Sequence, residues 1–284
     1  MVCLCAASGF SSTTESARTW SATWEPARPV NGSPILFRVK APSRLESLSG
    51  RWLDHDVYFF LEQKTATWYG FAGVSLETAP GKYPLVLTGE SKAGNPVSWQ
   101  KSVSIGKGKY RQIAITVPKQ FTEPSPEQQQ EIKDDQELKH AVFAKTAPER
   151  EWSGDFLAPV KAPISDIFGT TRTLNGKAQT THQGLDFGVP AGTPVAALNR
   201  GTVILARPLF FEGTCIMLDH GQGLMTIYMH LSKVEVKEGD EVKRGQEIAL
   251  SGGSGRATGP HLHVAVRWQG IYLDPATLLK LNLP

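Results

Sequence analysis

Residues 260–266, Pro-His-Leu-His-Val-Ala-Val, set His261 and His263 one residue apart at the start of an apolar β-type run. Side chains two apart on a strand share a face and stand roughly 6.5–7 Å from one another. Residues 181–187, Thr-His-Gln-Gly-Leu-Asp-Phe, hold His182 and Asp186 with three residues between them. The seven histidines are His55, His140, His182, His220, His230, His261 and His263, so five of them follow residue 180.

Working outward, the chain from about Phe156 to Pro284 is dense in glycine and β-type runs. GTPVAALNRGTVILA, GTCIMLDHGQGLMTIYMHLSK and GDEVKRGQEIALSGG each read as strand, turn, strand. Gly221 and Gly223 bracket a hairpin turn whose arms carry His220 and His230. His220 reads as structural at that turn, and His55 and His140 read as surface residues. Upstream, ILFRV, VYFFLEQ, ATWYGFAGV, YPLVLTGE, SWQKSVSI and RQIAITV succeed one another between turn signals such as APGK and KAGNP. Six short strands at this spacing suggest an N-terminal immunoglobulin-like β-sandwich over residues 31–120. A compositional break follows at 121–150. Ser125 is a candidate N-cap, Pro126 a first helical residue, and Ile132, Asp135, Leu138 and Val142 recur at helical spacing. A connector helix over 126–146 is expected, leaving 151–284 as the second domain.

Length and composition bound the rest. With 284 residues, 40% hydrophobic and 20% charged, the chain can bury a sizeable core, and two domains are the first expectation. Lys+Arg 30 against Asp+Glu 27 leaves +3, with no basic concentration of the kind nucleic acid requires. No run approaches the roughly 18–20 apolar residues of a spanning helix. Cys3, Cys5 and Cys215 make no disulfide framework, and Cys215 falls in an apolar run that reads as a buried strand. Residues 1–30, opening MVCLCAASGF and then Ser/Thr/Pro-rich, read as an export-signal remnant followed by a disordered linker.

Two imidazoles and a carboxylate in one β-rich domain suit a catalytic zinc, which takes three protein ligands and keeps one position for water. Further histidines nearby could serve as general base and as stabiliser of developing negative charge.

The C-terminal half resembles the lysostaphin-type (LytM-like) zinc endopeptidases that cut peptide cross-links of bacterial peptidoglycan. The resemblance rests on FGTTRTLNG, HQGLDFGVPAGTPVAALNRGTV, LDHGQGLMTIYMHLS, VKEGDEVKRGQEIALSGGSGRATGPHLHVAV and the DP of YLDPATLL, from about 160 to 280. It implies a mainly antiparallel β domain of the duplicated hybrid motif type with a groove across it. It implies that His182, Asp186 and His263 hold zinc, that His261 and His230 are catalytic, and that Arg172 and Tyr228 stand near the substrate groove. Gly184 and Gly188 would keep the Asp186 turn narrow, and Gly252, Gly253, Gly255 and Gly259 would form a flexible approach to the second histidine pair. The implied location is extracytoplasmic, in the periplasm or cell envelope. The implied partners are peptidoglycan and, through the N-terminal β domain, an envelope protein. The absence of an SH3-like module for glycine bridges favours direct cross-links as substrate. The competing reading is a non-catalytic cell-wall-binding or hydrolase-activating envelope protein, which the complete set of four histidines and an aspartate disfavours. A metal-dependent hydrolase with a different peptide substrate is a third.

Overall fold

A computed structural model of the chain describes residues 19–284 and is mainly β, as the sequence implies. Cys3, Cys5 and the MVCLCAASGF stretch lie outside the described residues. Part of the expected linker is structured: Ser21–Glu25 (β1) pairs antiparallel with Pro34–Lys40 (β2), and Trp20 stacks on Trp99 with ring centroids 5.6 Å apart. The remaining N-terminal strands are Leu45–Trp52 (β3), His55–Glu62 (β4), Thr67–Gly73 (β5), Gly81–Ser91 (β6) and Pro96–Ile105 (β7). They form one hydrogen-bonded path in the order β1-β2-β5-β4-β3-β6-β7. The path changes partner within β4: His55–Tyr58 pairs with β3 and Phe59–Glu62 with β5, so β4 links the β1-β2-β5 half to the β3-β6-β7 half. Phe59 sits at that change. A Cβ at Gly50 on β3 or at Gly70 on β5 would stand 2.8 Å from its ring, so the two glycines let the sheet close around that side chain. Strand β3 is hard to see in the sequence, because LESLSGRW alternates burial while carrying few β-branched residues.

The sixth sequence run belongs elsewhere. Gln112–Ile115 leaves the N-terminal sheet and pairs in parallel with Thr171–Leu174, which in turn pairs with Ala178–Thr181. The connector helix spans Pro126–Phe143, a little shorter than expected, and begins with a full capping box: Ser125 N donates to Gln128 Oε1 at 2.9 Å, and Gln128 N donates to Ser125 Oγ at 3.3 Å. Its stripe packs as anticipated. Leu138, Val142 and Phe143 rest on a cluster of Leu205, Leu209, Cys215, Met217, Ile227 and Ala265. Asp135, the polar member of the stripe, accepts from the Phe210 backbone N at 2.7 Å.

The C-terminal region is built on an antiparallel sheet. Gly201–Leu209, Gly213–Asp219, Leu224–Val234, Leu262–Trp268, Leu185–Phe187 and Ile164–Asp166 lie side by side in that order. The core does not stop at the domain boundary. Trp152, 1% exposed, packs edge-on against Phe60 at 5.8 Å and Phe71 at 6.2 Å from the N-terminal sheet, and tilts against Phe156 at 6.3 Å. Phe71 also meets Trp268 at 6.3 Å, and Gly73 leaves room for Leu273, whose Cδ atom would stand 2.6 Å from a Cβ there. The two β bodies therefore unfold as one: Trp152→Ala is expected to cost about 3–5 kcal/mol in a denaturant titration, with tryptophan fluorescence and far-UV signals keeping a single shared midpoint.

Candidate metal centre

The strand pairing brings the first two groups together. Leu185–Phe187 pairs antiparallel with Leu262–Trp268 so that Asp186 stands directly opposite His263. Opposed residues hold their Cβ atoms roughly 4.5–5.5 Å apart on one face. Leu262, Val264 and Val266 enter the main core, which turns His263 and Ala265 to the other face, under the connector helix. His182 arrives on the loop after Ala178–Thr181. Its backbone is pinned to the Phe168–Thr170 segment, with His182 N donating to Thr170 O and Gly169 N donating to His182 O, both at 2.8 Å.

Three ligating atoms converge. His182 Nε2 lies 3.0 Å from Asp186 Oδ1 and 3.0 Å from His263 Nδ1, and His263 Nδ1 lies 2.8 Å from Asp186 Oδ1. All three residues are buried. His182 Nδ1 stands 2.8 Å from the Ile167 carbonyl, which can only accept, so Nδ1 carries the proton and Nε2 presents a lone pair. Arg172 donates to Asp186 Oδ2 at 2.6 Å, which leaves Oδ1 turned to the histidines. The same guanidinium holds Asp166 Oδ2 through Nε at 2.9 Å and Nη2 at 2.6 Å. Burial works to raise the Asp186 pKa, but the His182 and His263 rings packed against its carboxylate hold it well below the usual range. Burial also pushes the His263 pKa down, favouring the neutral ring. Donor chemistry and orientation thus fit a cation: two neutral imidazole nitrogens and one carboxylate oxygen, each steered by a second partner. Gly184 is required here, since a Cβ would stand 2.3 Å from His263 Nε2. Gly188 meets nothing closer than 3.8 Å, so the expected narrowing role falls to Gly184 alone.

Two more imidazoles border the cluster. His261 Nδ1 donates to the Gly259 carbonyl at 2.8 Å, and its Nε2 lies 3.9 Å from Asp186 Oδ1. His230 is buried and donates from Nδ1 to the Ser254 carbonyl at 2.8 Å; its ring lies 4.8 Å from His261 and 5.9 Å from His263, centroid to centroid. Burial, reinforced by His263 and His261, pushes the His230 pKa to about 3. His230 reaches the site through a bulge. Opposite it the ladder runs from Ile216↔Tyr228 to Thr214↔Leu231, so two residues face one, and His230 adopts a left-handed φ of 61°. Simple alternation from core-facing Tyr228 would have buried His230 in the main core.

Tyr228 itself is a correction. It is fully buried, its hydroxyl accepting from Leu198 N at 2.8 Å and lying 3.2 Å from Thr226 Oγ1, so it braces the core and does not reach the groove. Arg172 does line the groove, but its guanidinium is spent on Asp166 and Asp186, so it steers a carboxylate of this chain. The glycine-rich approach is tied down. A Cβ at Gly252 would stand 2.6 Å from Ser232 N, one at Gly255 would stand 2.3 Å from Gly213 N, and Thr214 N donates to Ser254 Oγ at 2.9 Å. Two clefts flank the cluster. One of about 410 Å³ is bounded by Asp186, His261, Gly259 and, unexpectedly, Arg111, Ile113 and Ile115 of the strand borrowed from the N-terminal region. The other, about 190 Å³, is bounded by His182, His230, His263, Glu212 and Lys139 of the connector helix. Asp166, Arg111, Glu212 and Arg256 also border the site without any motif to mark them, except that Asp166 falls within ISDIFGT, next to the FGTTR run.

Residues 180–275 match the family described as Peptidase family M23. This region is an M23 peptidase domain. Over 108 residues the chain is 44% identical to the peptidoglycan DD-endopeptidase ShyA of Vibrio cholerae, a match covering 38% of this chain and 24% of that protein. A Haemophilus influenzae protein named as a metalloprotease is 43% identical over 121 residues, 42% of this chain and 25% of its own length. The chain thus spans about a quarter of the length of these curated relatives. A crystal structure from Pseudomonas aeruginosa assigned to peptidase M23 superposes with TM-score 0.67 at 29% identity, covering 89% of this chain and 95% of that one.

Of the remaining histidines, His220 is structural. It is wholly buried in the M23 domain, with Nδ1 donating to Arg200 O at 2.6 Å and Nε2 2.8 Å from Thr226 Oγ1. His140 is exposed, while His55 is half-buried with its ring 4.9 Å from that of Trp268. Burial pushes the His220 pKa down to about 4. The unfolded chain takes up this proton below its ordinary value of about 6.5, whereas the folded protein does so only near 4. The contribution is therefore complete above pH 6.5 and is lost as pH falls toward 4, by roughly 3 kcal/mol. Denaturant titrations between pH 7.5 and 4.5 should show this decline in the wild type and a shallower one in His220→Gln.

Proposed function

We propose that the chain is a zinc-dependent endopeptidase that hydrolyses peptide cross-links of bacterial peptidoglycan. The observation that carries this reading is the convergence of His182 Nε2, Asp186 Oδ1 and His263 Nδ1 to within 3.0 Å of one another, with His261 and His230 alongside. The family match and the peptidoglycan endopeptidases among the relatives support the substrate class. In this reading His182, Asp186 and His263 hold the ion. Bound there, zinc would supply a Lewis acid and lower the pKa of a water to about 7.

The chain's own residues do the rest. Arg172 occupies Oδ2, so Asp186 would offer an ion only Oδ1 beside the two histidine nitrogens. His261 and His230 each donate Nδ1 to a backbone carbonyl, which fixes both rings in the tautomer whose Nε2 accepts a proton. His261, the more exposed, is the proposed general base: it takes the proton of the attacking water and returns it to the departing amine. His230, kept neutral by burial and with its Nδ1 proton committed to the Ser254 carbonyl, stands beside His261 and helps it in handling that proton. The scissile peptide lies along the two clefts on either side of the cluster. A peptidoglycan substrate entails an extracytoplasmic location, and no helix among the described residues is long and apolar enough to cross a membrane.

Two measurements test this. Purified protein is expected to hold about one zinc and to release new amino termini from isolated sacculi. Chelation or Asp186→Ala should abolish both, and added zinc should restore activity only to the chelated wild type. A protein that binds sacculi identically with chelator and never releases peptide ends is instead the non-catalytic wall binder. Arg172→Gln should lower zinc affinity by about 10–100-fold, read by competition with a chromophoric chelator.

A further inference from the structure

Arg256 lies at the boundary of both clefts, with its guanidinium carbon 4.6 Å from the centroid of the Phe211 ring. Its backbone is fixed, Arg256 N donating to Phe211 O at 2.9 Å within the turn that Gly255 packs against Gly213. Around it the acidic groups each have a basic partner, although Glu212 Oε2 is buried without a hydrogen-bond partner of its own among the described residues. Asp166 is held by Arg111 and Arg172, Asp186 Oδ2 by Arg172, and Glu212 Oε1 by Lys139 at 2.5 Å. No ion pair within 4.0 Å joins Arg256 to an acidic side chain among the described residues. The two clefts together are lined by four cationic side chains and three carboxylates, which leaves one positive charge over, and Arg256, with only the through-space field of Glu212 in its favour, is the cation of the four that makes no ion pair.

A half-buried cation without a counter-ion is costly unless something supplies one. A planar guanidinium held in place by an aromatic face and a pinned backbone is preorganised to receive two oxygens at once. It also borders the same clefts that hold the histidine–aspartate cluster, so whatever it grips lies beside the bond to be cut. Burial lowers its pKa without threatening its charge at neutral pH.

We propose that Arg256 is a specificity-determining residue that binds a free carboxylate of the substrate peptide next to the scissile bond. This deepens the peptidoglycan reading and rests on it. Stem peptides are rich in such groups, including the carboxylate on the diamino-acid carbon that bears the cross-linking amide, and amidated stems lack that charge. Arg256 therefore makes the enzyme prefer the free acid over its carboxamide.

The test uses the full chain and a matched pair of cross-linked muropeptide dimers, one with free carboxylates on the diamino acid and one amidated there. Binding is measured first by calorimetry in chelator, so that no cleavage is needed. Wild type is expected to bind the free acid about 10–100-fold more tightly, the range of a hydrogen-bonded ion pair. Arg256→Gln should erase that preference while leaving affinity for the amidated dimer within about twofold, and Arg256→Lys should restore part of it. With zinc, the same preference should appear in KM more than in kcat. Equal wild-type affinity for the two dimers overturns the proposal without needing any variant. So does an Arg256→Gln protein that melts lower yet keeps the full preference, which would make the residue a neutraliser of Glu212 only. Clear discrimination in binding, with no zinc-dependent cleavage of either dimer, would instead uphold the carboxylate site and overturn the peptidase reading.

Discussion

The antiparallel pairing of Leu185–Phe187 with Leu262–Trp268 is the constraint on which the site depends. It fixes Asp186 opposite His263, and no rotamer of either residue could recreate the cluster if the register slipped by one, because every side chain would change face. Leu185, Leu262 and Val264, each buried almost completely, hold the register by filling the main core from the opposite face. The chemistry on one side of the sheet is therefore stabilised by hydrophobic burial on the other.

Around that pair the protein arranges orientation in layers. Backbone carbonyls of Ile167, Gly259 and Ser254 each take the Nδ1 proton of one histidine, leaving Nε2 for the site. Arg172 takes one oxygen of Asp186 and leaves one. Ser254 and Gly259 share the loop between Glu247–Ser251 and Leu262–Trp268, whereas Ile167 follows Ile164–Asp166, so one segment sets the tautomers of His230 and His261 and a remote one sets that of His182. Rigidity in those loops has visible causes: Gly252 and Gly255 sit where backbone passes against backbone too closely for a side chain. What looks in the sequence like a flexible glycine-rich approach is a pinned wall that carries the Ser254 carbonyl and Arg256.

The N-terminal region is part of the same architecture. Phe60 and Phe71 pack on Trp152, and Phe71 on Trp268, while Gln112–Ile115 extends the groove wall and Arg111 pairs with Asp166. The connector helix likewise contributes Lys139 to the smaller cleft. Both clefts beside the histidine–aspartate cluster are thus lined in part by residues from outside the matched family region.

Much of this was legible in the residues. His182 and Asp186 took their meaning from the other histidines of the domain and from the family resemblance of the residues around them, whereas the His-x-His spacing marked His261 and His263, because alternation on a strand is a local property. The capped helix after Ser125 and the hairpin around Gly221 and Gly223 were legible for the same reason. The strand order of the N-terminal region was not, since it depends on which hairpins find each other, on β4 changing partner at Phe59, and on the space Gly50 and Gly70 leave for that ring. Nor was the fate of Tyr228 and His230. They are two apart on one strand, and alternation assigns them one face; only a bulge against Thr214–Ile216 and a left-handed turn at His230 send one into the core and the other into the site. Local chemistry is written in neighbouring letters, whereas register, bulges and borrowed strands are set by long-range packing that no neighbouring letters contain.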